Sequence, residues 1–375
     1  MSVIAFCLLS YARDEPAGIE RSVAALAEGC RLLGHRPIIL TASHAGEPPV
    51  DPDVIPLRSL VLPRPVLKQH ILDALADPSA VVDELRQVLD DQRADVVCWA
   101  DALWGLGYLN AVPSRTHSVL MVHKIRDDRL FDDALAGADL VCPISDYLLA
   151  EGDVAGFDTR AWRLVPNALL SEGTPVSAAR REHLRQSAPV RIVSRAEPYK
   201  GLAELLSAIP PTWTRPVELV LAFAGFEYWD GMQDEVLAAC RTAAEKRPDV
   251  VRMLPALGWE QVPDFFAGAS ATVVSSYEPE TFCNAAAEAL SVGTPVCGFD
   301  LGNLPYLTGR AGALIPLEEG FGALWRELGD LLDEPAAYHA ASLAAPGQVS
   351  RNHPAEVVTT LLAAIGAESN QRSIR

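Results

Sequence analysis

Two short segments of the 375-residue chain concentrate the charged side chains that could do chemistry. In SSYEPETFCNAAAEAL (Ser275–Leu290), Glu280 stands at the mouth of an expected strand, and Glu288 follows inside an expected helix. An ionised carboxylate only accepts hydrogen bonds and can take two at once, so a glutamate behind a strand mouth suits the paired hydroxyls of a ribose. The helix opening near Thr281–Asn284 turns its N–H groups toward the same mouth, which suits phosphate. Glu280 is then left facing a sugar. On spacing alone, both glutamates fit a solvated surface helix equally well.

The second segment, VRIVSRAEPYKGLAELLSAI (Val190–Ile209), ends a strand at Ser194 and places Arg195 and Lys200 in the loop before Gly201 opens a helix. A guanidinium fork, a point-charge ammonium and a helix N-terminus together make a diphosphate clamp. Such a clamp stabilises a departing nucleoside diphosphate as its charge develops. A pair of solvated loop charges is the plainer alternative. The chain has no Walker P-loop and no G-x-G-x-x-G after a strand.

These residues need rigid elements behind them. Val3–Leu9 is a short apolar run of the kind buried on both faces of a parallel sheet. A helix over Gly18–Leu33 repeats Ile19, Val23, Leu26 and Leu33 near helical spacing, Gly34 caps it, and Pro37–Thr41 is the next strand. The unit implies a parallel pair with a right-handed crossover. Residues 45–65 read as a Pro-rich surface excursion, Ala80–Gln92 as a helix, and Asp95–Trp99, Ser118–Val122 and Leu140–Ile144 as strands. Residues 168–189 have the composition of a linker. A second series then begins, with strands at Val190–Ser194, Val217–Ala224, Val250–Leu254, Ala271–Ser275 and Pro295–Gly298. Helices at Gly201–Ala208, Gly231–Lys246 and Asn284–Leu290 alternate with them. Two doubly wound α/β halves in tandem would bind ligand at their strand C-termini. A last helix is expected near Ala355–Ile365, with a frayed tail from Gly366.

Composition narrows the partners. Hydrophobic residues make up 49% and charged residues 21%, as in folded globular proteins. The formal charge, 31 − 49 = −18, repels nucleic acid and anionic membrane surfaces and leaves room for a cationic small molecule. The seven cysteines are scattered without a C-x-x-C spacing, so disulfides and a zinc site are not expected and a reducing cytoplasm fits. The N-terminus lacks a basic signal region, and no run reaches ~18 apolar residues. Asp51-Pro52-Asp53 is a D-x-D string in a Pro-rich loop, read as a chance match rather than a metal site. His35, after Gly34, reads as a capping residue. Trp99 and Trp104 suit either packing or stacking on a sugar ring. The acidic run Asp127, Asp128, Asp132 and Asp133 reads as a solvated helix face. With Asp14, Glu15 and Asp101 it would attract an amine-bearing acceptor.

SRAEPYKGLAELLSAI resembles the "GR…KG…L…A" motif of retaining GT-B glycosyltransferases of family 4. EPETFCNAAAEALSVGTPV resembles that family's "E-x-F-G-…-E-A-…-G-x-P-V" signature, with Glu280 and Glu288 on its two glutamates. DEPAGIERSVAALAEGCRLLGHRPIILT is similar to the family's glycine-loop helix, VHKIRDD to its His-containing acceptor-side loop, and ISDYL and VPNAL to its "SxxL" and "PNG" segments. The resemblance runs from about residue 3 to residue 310. It implies two Rossmann-like domains facing each other across a cleft: residues 1–170 for the acceptor, residues 171–345 for the nucleotide sugar, and residues 346–375 as a helix crossing back, plus a tail.

By this resemblance Arg195 and Lys200 hold the diphosphate, Glu288 the ribose and Glu280 the donor sugar. Phe282 and the backbone N–H groups of Cys283 and Asn284 assist, and Gly18 faces the diphosphate. His123 lies near the reacting carbon, and Glu15, Asp101, Trp104 and Lys124 join it on the acceptor side. The implied reaction is metal-independent hexosyl transfer with retention, without cofactor or protein nucleophile. The donor is expected to be a UDP-sugar, with UDP-N-acetylglucosamine one candidate. The acceptor is expected to be a small hydroxylated molecule, an aminocyclitol or other specialised metabolite in bacterial antibiotic biosynthesis. An epimerase or phosphorylase on the same fold, and a non-catalytic nucleotide-sugar binder, are the rival readings. The sequence departs from the family pattern at Ala17, Ala168 and Cys283, where glycine is usual, and at Tyr306, where glutamate is usual. The base, the sugar, the acceptor and the oligomeric state are left open.

Overall fold

The structure, a computed structural model, describes residues 1–44, 51–170 and 173–374. From the N-terminus the chain runs through β1 (Val3–Cys7), α1 (Gly18–Leu32), β2 (Arg36–His44), β3 (Val54–Leu62), β4 (Val66–Leu67), α2 (Lys68–Ala74) and α3 (Ser79–Asp91). Next come β5 (Val96–Trp99), β6 (His117–Val122), α4 (Arg129–Gly137), β7 (Leu140–Pro143), α5 (Asp146–Val154) and α6 (Ala178–Ser187). The series resumes with β8 (Val190–Arg195), α7 (Leu202–Ser207), β9 (Val217–Ala222), β10 (Phe226–Glu227), α8 (Met232–Ala244), β11 (Val251–Leu254) and α9 (Val262–Ala267). It closes with β12 (Thr272–Val274), α10 (Asn284–Ser291), β13 (Val296–Phe299), α11 (Leu304–Thr308), β14 (Gly312–Ile315), α12 (Gly320–Asp333), α13 (Pro335–Gln348) and α14 (Pro354–Ile374).

Two compact units result. The first comprises Met1–Leu170, Gly225–Tyr228 and Asn352–Arg375; the second comprises Ser171–Ala224 and Trp229–Arg351. In the first unit six parallel strands lie in the order β3-β2-β1-β5-β6-β7. The order reverses between β1 and β5, which makes their C-terminal ends the switch point of the sheet. Helices cover both faces, so the central strands are apolar throughout: Ile4, Ala5, Phe6 and Cys7 of β1 are all buried. Helix α1 lays Val23, Leu26, Ala27 and Cys30 on the core, with Glu20 in its first turn and Arg31 in its last, each sign favoured by the helix dipole. On another face it receives α14, which approaches so closely that a Cβ on Gly29 would stand 2.3 Å from the Pro354 carbonyl oxygen.

The second unit repeats the plan. Its strands form the groups β11-β9-β8 and β12-β13-β14, all parallel. The Arg191 N–H donates to the Ala271 carbonyl at 3.1 Å, joining β8 to the lead-in of β12. The combined order again turns back at its centre, between β8 and β12. Trp325, Tyr338, Leu205 and Phe299 fill the core.

Three stretches differ from the sequence reading. The Pro-rich stretch 45–65 contains β3, whose Leu57, Leu60 and Leu62 are buried in the edge of the first sheet; residues 45–50 lie outside the described residues. The linker composition of 168–189 conceals α6, capped by the Ser177 hydroxyl. Its Arg181 is buried, donating to the Ala269 and Val292 carbonyls at 2.8 and 2.9 Å. The last helix extends well past Ile365 to Ile374, where fraying was expected. All seven cysteines are buried and free. No described helix is long and apolar enough to cross a membrane.

Candidate functional site

The second unit's switch point gathers three of the expected residues, Arg195, Lys200 and Glu280. Arg195 ends β8, and Lys200 ends the single 3-10 turn Pro198–Lys200 that follows. Glu280 lies beyond the C-terminal end of β12, and Glu288 sits buried in α10. The Lys200 ammonium donates to Glu280 Oε1 at 2.6 Å, and the Ser276 hydroxyl donates to the same oxygen. Burial pushes the Glu280 carboxyl up. The Lys200 charge and hydrogen bond, the Ser276 hydroxyl and Arg195 outweigh that push and hold the pKa below the ordinary value. Glu280 is therefore an anion at neutral pH.

Backbone geometry fixes this pair. Gly201 has φ +61°, and a Cβ there would stand 2.6 Å from the Ser275 carbonyl oxygen and 2.8 Å from the Phe321 ring. The Ser275 hydroxyl donates to the Lys200 carbonyl at 2.6 Å, and the Tyr277 N–H to the Tyr199 carbonyl at 3.0 Å. These bonds stitch the Arg195–Gly201 loop to the loop that carries Glu280. Behind Glu280 runs Leu301–Asn303. The Asn303 N–H donates to the Glu280 carbonyl at 2.7 Å and its Nδ2 to the Phe282 carbonyl at 3.1 Å. Gly302 forms a parallel bridge with Glu280, and a Cβ on it would stand 2.5 Å from the Glu280 carbonyl oxygen.

Cys283 caps α10 in the left-handed region, at φ +76° and ψ +73°. This is the position where the family pattern has glycine, the residue that tolerates such angles without cost. Burial and the Glu280 charge push its thiol up to about 12, so it is not a nucleophile. Asn284 is the first residue of α10, and Phe282 is buried beside it.

Sequence reasoning missed three residues here. Glu197, buried, pairs with Arg195 at 2.9 Å. The Tyr199 hydroxyl accepts from Arg195 Nη2 at 3.1 Å, and its ring lies 4.9 Å from the Lys200 ammonium. Asn303 holds the Glu280 turn. The signal for Tyr199 and Glu197 was their place between the two cations; nothing in composition marked Asn303.

The other expected residues lie in the first unit. His123 directly follows β6 and is buried, and burial pushes its pKa down to about 4, so the imidazole is neutral at pH 7. Lys124 is next to it, exposed. Asp101 follows β5 and accepts the N–H groups of Leu103 and Trp104 at 3.0 and 3.3 Å; burial raises its pKa to about 6 against these bonds. Trp104 packs edge-on against Phe226 at 4.5 Å. Both Glu15 oxygens are engaged within the unit, with the Gly225 N–H at 2.5 Å, the Ser10 hydroxyl at 3.4 Å and Arg64 at 3.5 Å. Gly18 opens α1 after Ala17, while Ala168 is buried and Tyr306, on α11, is exposed. Asp53 of the D-x-D string pairs with Arg31, and the His35 ring accepts the Ser2 N–H at 3.2 Å.

Two doubly wound parallel units, the second with paired cations and carboxylates at its switch point, define the GT-B class of fold. The glycosyl transferases group 1 model matches residues 190–334, and the glycosyl transferase 4-like domain model matches residues 17–197. The chain belongs to this glycosyltransferase family. It is 28% identical over 281 residues to a D-inositol 3-phosphate glycosyltransferase of Streptomyces scabiei, an alignment covering 64% of this chain and 63% of that one. Among solved structures it is similar to sucrose-phosphate synthase from Thermosynechococcus elongatus, with TM-score 0.75, 19% identity, and coverage of 100% of this chain and 99% of that one. It is also similar to HepE of Anabaena in complex with UDP, with TM-score 0.68, 18% identity, and coverage of 99% and 100%.

Proposed function

We propose that the chain transfers a hexosyl group from a UDP-sugar to a hydroxyl of a small acceptor, with retention and without a metal or cofactor. The observation that carries this reading is the Arg195, Lys200 and Glu280 arrangement at the second unit's switch point, beside the N-terminus of α10. An ammonium has three donors, so Lys200 can keep Glu280 and still reach a phosphate oxygen. Arg195 and the Cys283 and Asn284 N–H groups supply further donors to the diphosphate, and their work grows as charge builds on the leaving oxygen. Glu288 takes the ribose hydroxyls and Glu280 the donor sugar. Phe282 supports the turn between them. Of the described groups beside the clamp, the Cys283 thiol is held protonated and Glu280 is tied to Lys200, so neither is poised as a nucleophile. The departing phosphate oxygen then takes the acceptor proton on the sugar's own face.

On the acceptor side, neutral His123 with Lys124 and Trp104 is the proposed recognition set, at the strand C-terminal ends of the first unit. A cyclitol is the acceptor class best supported. The Streptomyces scabiei relative is named for D-inositol 3-phosphate, and the net charge of −18 favours an amine-bearing ring over a phosphorylated one. A cytoplasmic location and a bacterial specialised-metabolite role fit the free cysteines and the composition. Thermal shifts with UDP-, GDP-, ADP- and dTDP-sugars will pick the donor, since only a ligand that binds the folded state raises its melting temperature. Incubating that donor with an aminocyclitol or with D-inositol 3-phosphate and reading the product's anomeric configuration by NMR tests the transfer. A product with the donor's anomeric configuration is expected; inversion, or epimerised donor without transfer, would refute the reading.

A further inference from the structure

The two clamp cations are not independent. Tyr199 stands between them in sequence and touches both: its hydroxyl accepts from Arg195 Nη2 at 3.1 Å, and its ring face lies 4.9 Å from Lys200 Nζ. A phenol oxygen is a good acceptor for a guanidinium, and the negative face of the ring attracts an ammonium. The backbone holds Tyr199 independently of its side chain, through the 3-10 turn and the Tyr277 N–H bonded to its carbonyl. Arg195 is further pinned by Glu197 at 2.9 Å, and Lys200 by Glu280 at 2.6 Å.

We infer that Tyr199 is a positioning residue that sets the separation and direction of Arg195 and Lys200, so that the two cations meet a diphosphate as one rigid unit. A long Arg and a long Lys each lose considerable rotamer freedom when they grip a ligand, and holding them beforehand removes part of that cost from binding. The hydroxyl contacts Arg195 and the ring face contacts Lys200, so the two halves of the role separate by substitution. The inference rests on the proposed nucleotide-sugar reading for its effect on binding, but its geometric content does not.

The chain has four lysines, Lys68, Lys124, Lys200 and Lys246, so reductive 13C-methylation gives a small set of dimethyl-lysine NMR signals in which Lys200 is identified by its loss in Lys200→Arg. In the wild type the Lys200 signal is expected shifted upfield by the Tyr199 ring, unchanged in Tyr199→Phe and moved to the position of the exposed lysines in Tyr199→Leu. Affinity for UDP by calorimetry is expected to fall about tenfold in Tyr199→Phe, the size of one hydrogen bond to a charged group. In Tyr199→Leu it should fall a further few-fold as the cation–π contact goes. In turnover, Tyr199→Phe should raise the donor KM and also lower kcat, because Arg195 serves both the bound diphosphate and the charge that builds on its leaving oxygen. A Lys200 signal unmoved by Tyr199→Leu, or UDP affinities equal in all three proteins, would overturn the inference. Should the wild type bind no UDP, the functional reading fails, and the methyl-lysine shifts still decide whether Tyr199 holds Lys200.

Discussion

Lys200 and Glu280 form an ion pair of 2.6 Å across 80 positions of sequence, with both side chains largely withdrawn from water. Each makes the other tolerable there, because a buried charge without its partner is costly. Lys200→Met keeps the stem and removes the charge, leaving Glu280 buried and uncompensated. A loss of about 3 kcal/mol is expected, with the Glu280 pKa rising. The double variant Lys200→Met/Glu280→Gln should recover most of that stability and none of the transfer activity. Urea unfolding of the two proteins, with transfer rates alongside, checks this.

Acid stability should carry opposing contributions from two buried groups of the first unit. His123 has its pKa pushed down to about 4 from 6.5. Between those values the unfolded chain binds a proton that the folded chain does not, so stability falls as pH drops. Asp101 is pushed up to about 6 from 3.8; there the folded chain holds the extra proton, and stability rises as pH drops. His123→Gln should therefore gain stability relative to wild type between pH 7 and pH 4.5, and Asp101→Asn should lose it. Glu280, lowered, adds stability above the ordinary carboxylate range that is lost as pH falls through its folded value. Urea midpoints from pH 7 to 4.5 report the His123 and Asp101 slopes, and midpoints below pH 4.5 report that of Glu280.

The alternation of apolar runs with amphipathic helices made both doubly wound units legible, because central parallel strands are apolar on both faces. Where composition and burial part company the sequence misled. The prolines at 48, 49, 52 and 56 masked the edge strand β3, which needs only one ladder intact. The run AARREHLRQS looked like linker because the role of Arg181 depends on two carbonyls more than 80 positions away. The site showed the same limit. Arg195, Lys200, Glu280 and Glu288 carry charges in a recognisable spacing, whereas Asn303 acts through two hydrogen bonds to backbone carbonyls, which leave no pattern in side-chain type.

Three glycines with positive φ offer a graded test of the backbone behind the pair. Gly34, at φ +76°, has no atom within 4 Å of an added Cβ, so Gly34→Ala should cost about 1 kcal/mol from the backbone alone. Gly201→Ala and Gly302→Ala add clashes at 2.6 and 2.5 Å with backbone oxygens. Each should cost clearly more than Gly34→Ala and also weaken nucleotide binding. Equal costs at all three positions in urea unfolding would show that the turn does not depend on these close approaches.

Cys283 takes left-handed angles that cost a non-glycine residue about 1 kcal/mol. Cys283→Gly relieves that strain while giving up a buried sulfur, so its stability should stay within about 1 kcal/mol of wild type and transfer should persist. Cys283→Val places a β-branched side chain in the same angles and should destabilise by about 2 kcal/mol or more while weakening the donor's grip. Unfolding curves and donor KM for the two variants separate these outcomes.

The central claim is that Arg195 and Lys200 grip the diphosphate of a nucleotide sugar. The direct measurement is calorimetric titration of UDP into the wild type and into Arg195→Ala/Lys200→Ala, with circular dichroism confirming that both are folded. Loss of two charge-assisted contacts should weaken binding by about a hundredfold or more. UDP affinity unchanged in the folded double variant would contradict the account.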